Sequence, residues 1–244
     1  MLTRQTRITA FILVLLTGGV CFAQSSAPAV PAGEFVTEKS WGLLIVKSDK
    51  QGKLHFSIEA AGDNGHGCSL EGAIKGNSAV LEADEPSKPC TVKFVPTKDG
   101  IQVSSVPEFS CNFYCGMRAS FEGLYLRAPA ACRVDAMDKT RGAARKQYDR
   151  KAYAEARVLL DTTLKDCQRF LGHVTEGWYR NDLAVTLHKL KDYSACREAL
   201  QPLAADAARR DAQIREDYAP TDAEIYLPVV RAARTNLKLC AARP

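Results

Sequence analysis

From residue 34 to about 130 the apolar positions come in short bursts that alternate with polar ones. Leu54, Phe56 and Ile58, and again Val92 and Phe94, put every second side chain on one side, the period of a half-buried strand. Segments 41–46, 54–58, 68–74, 79–81, 91–95, 101–103 and 121–126 read as strands. Turn-forming clusters separate them: Asp49-Lys50-Gln51-Gly52, Gly62-Asp63-Asn64-Gly65, Lys75-Gly76-Asn77, Glu85-Pro86-Ser87-Lys88-Pro89 and Lys98-Asp99-Gly100. Short strands at this spacing predict an antiparallel meander, closed as a β-barrel or stacked as a sandwich.

After residue 130 the period changes. Tyr153, Ala156, Leu160, Leu164, Cys167 and Leu171 recur every three or four residues, one face of a helix, and Leu183, Leu187 and Leu190 do the same. Asp192 opens a further helix with Cys196, Ala199 and Leu200 inward. Thr221 and Glu224 fit a capping box after Pro220. Pro228 predicts a break, with the last helix running from there to Cys240. The fold class is therefore α+β: a β-domain over 34–130 and an all-α domain over 131–244, preceded by a small, Pro-rich lead-in at 24–33 that reads as flexible.

The helical part repeats itself. Lys151, Tyr153, Ala156, Arg157 and Leu160 return forty residues later as Lys191, Tyr193, Cys196, Arg197 and Leu200. The pattern Leu183, Ala184, Leu187, then Tyr193, Cys196 and Leu200 resembles a tetratricopeptide repeat, over roughly residues 135–240. The period of forty departs from that family's ~34, and the closing proline of each unit is missing. The resemblance implies paired antiparallel helices, which hold partners and carry no chemistry of their own.

Residues 1–23 change the picture of the compartment. Arg4 and Arg7 precede a short apolar run from Ile8 to Leu16, Gly18 and Gly19 break it, and Cys21-Phe22-Ala23 offers a cleavage site. The run is too short for a bilayer, which needs about 20 residues. A cleaved signal peptide and a periplasmic or secreted protein are expected, with no membrane span. Residues 24–130 carry ten Lys/Arg against twelve Asp/Glu, and residues 131–244 carry 21 against 16. That asymmetry is too slight for a nucleic-acid-binding face.

Beyond Cys21 the chain keeps Cys68, Cys90, Cys111, Cys115, Cys132, Cys167, Cys196 and Cys240. An even number in an oxidising compartment predicts disulfides. In a helix hairpin the start of the first helix lies beside the end of the second. Cys132 should therefore meet Cys167, and Cys196 should meet Cys240 at the end of the next helix. In the β-domain two connectivities fit: Cys68–Cys90 with Cys111–Cys115, or Cys68–Cys115 with Cys90–Cys111. The turn at Lys75-Gly76-Asn77 folds Cys68 back toward Cys90 and favours the first.

Candidate chemistry is sparse. His66, Cys68, Cys111 and Cys115 have the ligand types of a zinc site, but oxidation of the thiols takes precedence. His55, His66, His173 and His188 stand near no nucleophile motif, and no phosphate loop or cofactor fingerprint is present. Trp41 and Trp178 read as core residues. The densest unusual stretch, Cys111 to Gly123, includes Phe113, Tyr114 and Arg118 as candidate partner-binding residues on an aromatic loop. It resembles cysteine-bearing β-domains of exported bacterial proteins, some grouped with lysozyme inhibitors. The expectation is a non-enzymatic, cofactor-free binding or adaptor protein whose partner is another envelope protein. The alternative is an inhibitor or immunity protein against a cell-wall hydrolase or a secreted toxin.

Overall fold

The computed structural model describes residues 29–82 and 89–241. The expected leader and most of the turn around Pro86 lie outside them. Eight strands form: β1 (Gly33–Val36), β2 (Gly42–Ser48), β3 (Leu54–Ala61), β4 (Gly67–Ile74), β5 (Ser78–Leu81), β6 (Cys90–Pro96), β7 (Gly100–Val106) and β8 (Gly123–Leu126). They make one antiparallel sheet in the order β4-β3-β2-β1-β8-β7-β6-β5. Its outer strands, β4 and β5, meet at the Lys75–Ser78 bridge, so the sheet curls into a near-barrel and not a two-sheet sandwich.

Alternation fills the interior. Phe56 and Ile58 of β3 and Val92 and Phe94 of β6 are buried, with the Phe56 and Phe94 rings edge to face at 4.9 Å. Of the lead-in only residues 29–33 are described: there Val30 is buried, and Gly33 opens β1, which pairs with both β2 and β8. A four-residue strand behind a Pro-rich approach is too short to show a period.

The helices are α1 (Val134–Asp149), α2 (Tyr153–Asp166), α3 (His173–Lys189), α4 (Tyr193–Leu200), α5 (Ala204–Ala207), α6 (Asp211–Asp217) and α7 (Pro220–Ala241). The forty-residue offset is built into two identical turns. Lys151 and Lys191 both take the left-handed conformation (φ 65° and 62°). Their amides donate to Tyr148 and His188 carbonyls, and the next amides, of Ala152 and Asp192, donate to Gln147 and Leu187. These are Schellman closures with lysine where glycine is usual. Tyr153 packs edge-on to Tyr148 at 5.2 Å, and Tyr193 to His188 at 5.5 Å.

Two helix-end expectations are corrected. Pro228 does not break α7, because Pro228 and Glu224 share its exposed face and water can take the orphaned Glu224 carbonyl. Thr221 and Glu224 form no capping box. Thr221 donates its amide to Asn64 Oδ1 at 3.1 Å, Asn64 donates its own to Asp222 Oδ2 at 2.9 Å, and Glu224 pairs with Arg215. The barrel thus caps α7 from outside the helix, which sequence neighbours cannot reveal. A second seam joins Lys39, whose amide donates to the Arg169 carbonyl at 2.8 Å, while Val36 and Leu126 are buried in the same apolar cluster as the helices.

Four disulfides staple the chain. Cys132–Cys167 joins the approach to α1 with the end of α2, and Cys196–Cys240 joins the first turn of α4 to the last of α7, at Cα separations of 5.1 and 5.7 Å. The helix bearing Cys240 is not the next one in sequence, since α5 and α6 intervene. The barrel pairing is Cys68–Cys115 and Cys90–Cys111, not the favoured alternative. Cys68 lies on the β4 edge, where Cys115 makes an antiparallel bridge to it. Cys90 starts β6, whose partner β7 leads directly into the loop bearing Cys111.

Helices α3 and α7 pack tightly at Gly177, where an added Cβ would lie 2.4 Å from Val229 Cγ1. Gly177→Ala should lower stability in urea unfolding by roughly 1–2 kcal/mol, the clash outweighing the gain in helix propensity. Gly142→Ala on α1 meets nothing within 4 Å and should stabilise by about 0.5–1 kcal/mol. Equal effects at the two sites would contradict this packing.

Candidate binding groove

A concavity of about 440 Å³ lies between α1 and α3. Asp138, Gly142, Arg145 and Asp149 recur at four-, three- and four-residue steps along one face of α1 and, with Arg141 beside them, form the first wall. Asp182, Val185 and Thr186 of α3 form the second, and Ala144 with Leu160 of α2 make an apolar floor. These helices are the first members of the two matched hairpins, so the repeat itself sets the walls facing each other.

The walls are polar and partly self-neutralised. Arg141 donates to Asp182 across the groove at 2.6 Å and lies over the Trp178 ring at 5.3 Å. Trp178, like Trp41, is thus half-buried against a core. Burial pushes the Tyr148 phenol up, with Tyr153 and Asp149 adding to it, so it remains a neutral hydroxyl at physiological pH. A separate small junction cavity of about 140 Å³ lies nearer the barrel and shares Asp138 with the groove, its lining being Val134, Met137, Asp138, Phe170 and Thr175 of the helical part with Lys39 and Ser40.

The loop after β7 holds the other candidates. Cys90–Cys111 and Cys68–Cys115 pin it four residues apart, around a short turn at Asn112–Tyr114. Tyr114 folds inward against the barrel core and donates its hydroxyl to the Glu82 carbonyl at 2.7 Å. Phe113 stands edge-on to it, 67% exposed, and Phe109 and Met117 are 63% and 94% exposed. Arg118 is exposed beside them, its carbonyl accepting from Asp63 N–H. Of the three residues singled out, Phe113 and Arg118 face solvent, and Tyr114 is a structural anchor.

The zinc-type set is not assembled, because its three cysteines are consumed in disulfides. Among the described residues no cluster of three metal-ligating groups occurs. The histidines sit in separate places: His55 against Asp49, His66 under Gly116, His173 among Tyr218 and Tyr226, and His188 on Tyr193. The groove is not legible in the sequence, because no apolar period marks out α1 there, although Asp138, Arg141 and Arg145 share one helical face.

Tyr114→Phe should cost about 0.5–1.5 kcal/mol of stability, the worth of one hydrogen bond. Phe113→Ser should leave it within about 0.5 kcal/mol, since the ring is solvated. Thermal unfolding of both variants checks this, and the reverse order would place Phe113 in the fold.

Family models, curated proteins and solved structures contain no match to this chain.

Proposed function

We propose that the protein is an exported, non-enzymatic adaptor that holds a segment of another envelope protein in the groove between α1 and α3. The observation that carries this reading is the groove itself, built from the matching helices of two hairpins that repeat in sequence and in turn geometry. The tetratricopeptide-like pattern supports a partner-holding role for such hairpins. Four disulfides fit an oxidising extracellular or periplasmic compartment, in line with the leader-like residues 1–23. Gly142 lines the groove and an added Cβ there meets nothing within 4 Å, so Gly142→Trp places a ring in the groove with no backbone clash. Quantitative capture from envelope extracts should yield a protein retained by the wild type and lost with Gly142→Trp. Identical capture by both would sink the reading.

A second reading rests on the loop bearing Phe109, Phe113 and Met117, a rigid apolar prong of the kind that enters a cleft at little entropic cost. It makes the protein an inhibitor or immunity protein against a cell-wall hydrolase or secreted toxin. Micromolar protein should then slow peptidoglycan hydrolysis by a lysozyme-type enzyme, and Phe113→Ser should relieve the inhibition. Unchanged rates across several hydrolases would remove it.

A further inference from the structure

We infer that the groove extends from α1 and α3 onto the barrel, and that its occupant is an extended peptide presenting a basic side chain to Asp138. This rests on the adaptor reading and names the chemistry of the partner segment. Asp138 lines both the groove and the junction cavity, so the two concavities adjoin at this residue of α1, and a segment laid along the helix would pass from one to the other. The far end of the track is the turn carrying Lys39 and Ser40, both left-handed at φ 59° and 53°. Non-glycine residues hold such conformations only where their surroundings enforce them. Here the Lys39 amide is held by the Arg169 carbonyl and the Ser40 hydroxyl by the Phe170 carbonyl. The sixteen residues of α1 span about 24 Å, room for about seven extended residues.

The charges along the track decide the occupant. Lys39 is paired with Glu176 at 3.4 Å, and Arg141 with Asp182. Arg145 and Asp149, exposed and four residues apart on the α1 wall, make no ion pair among the described residues, but their opposite charges cancel in the sum over the track. Asp138 remains, exposed, with no hydrogen bond or ion pair among the described residues. A lysine or arginine near the middle of a bound segment complements it.

The test uses residues 24–244, labelled, on arrays of heptapeptides that are random except for Lys, Ala or Glu at the centre. The Lys pool should be retained up to about fivefold over the Glu pool, the range of one exposed ion pair. Asp138→Lys should reverse that order. Val134→Trp, at the exposed barrel end, should weaken the Lys pool, and Gly142→Trp should abolish binding of every pool. An unchanged order in Asp138→Lys overturns the inference while the adaptor reading survives, provided Gly142→Trp still abolishes binding. Indifference to Val134→Trp overturns the extension onto the barrel. Binding that survives Gly142→Trp removes the inference and the adaptor reading together.

Discussion

A pair of buried amides between α3 and α7 sets the position of nearly everything else. Asn236 donates to Asn181 Oδ1 at 2.8 Å, and Asn181 donates in turn to the carbonyls of Gly177 and Val229 at 2.9 and 3.2 Å. Both side chains are almost fully enclosed, at 3% and 9% exposure. Sliding α7 by one residue would strand these donors in an apolar interior, at a cost of about 1–3 kcal/mol for each. With this register fixed, the end of α7 brings Cys240 to Cys196, and its start brings Thr221 and Asp222 to Asn64 on the barrel.

The same helix α3 also serves the groove. Its Asp182, one residue after the buried amide, reaches α1 through Arg141, while Gly172 at its start abuts the Lys39 carbonyl, where an added Cβ would be 3.0 Å away. One helix therefore carries a core contact on one side, a groove wall on another and a barrel contact at its tip. The small residues make this possible: Gly172 and Gly177 let backbones approach that a larger side chain would hold apart.

What the sequence made legible follows from local periodicity. Seven of the eight strands fall on the segments read from the sequence, and the five of seven or eight residues are long enough to display a period of two. The forty-residue echo located both hairpins, and the structure ties its lysines to a backbone role that their charge does not suggest. Long-range features were not legible. The partner of Cys68 depends on which strand is left at the sheet edge, and the cap on α7 comes from Asn64, over 150 residues earlier. Pro228 misleads when read locally, because its tolerance depends on which face of α7 meets solvent. Of the candidate site, the loop aromatics were visible as an unusual cluster, whereas the groove exists only when α1 and α3 stand side by side.

The disulfide connectivity bears on the order in which the chain must be oxidised. Cys132–Cys167 and Cys196–Cys240 join cysteines that are consecutive along the chain, so an oxidant acting from the N-terminus onward would close them correctly. The barrel pair is nested: Cys90–Cys111 lies inside the loop closed by Cys68–Cys115. Joining those four cysteines in order of emergence would link Cys68 to Cys90 and Cys111 to Cys115, both wrong. The barrel must therefore either gather its strands before its thiols react or exchange its first bonds through a mixed disulfide, whereas the helices need neither.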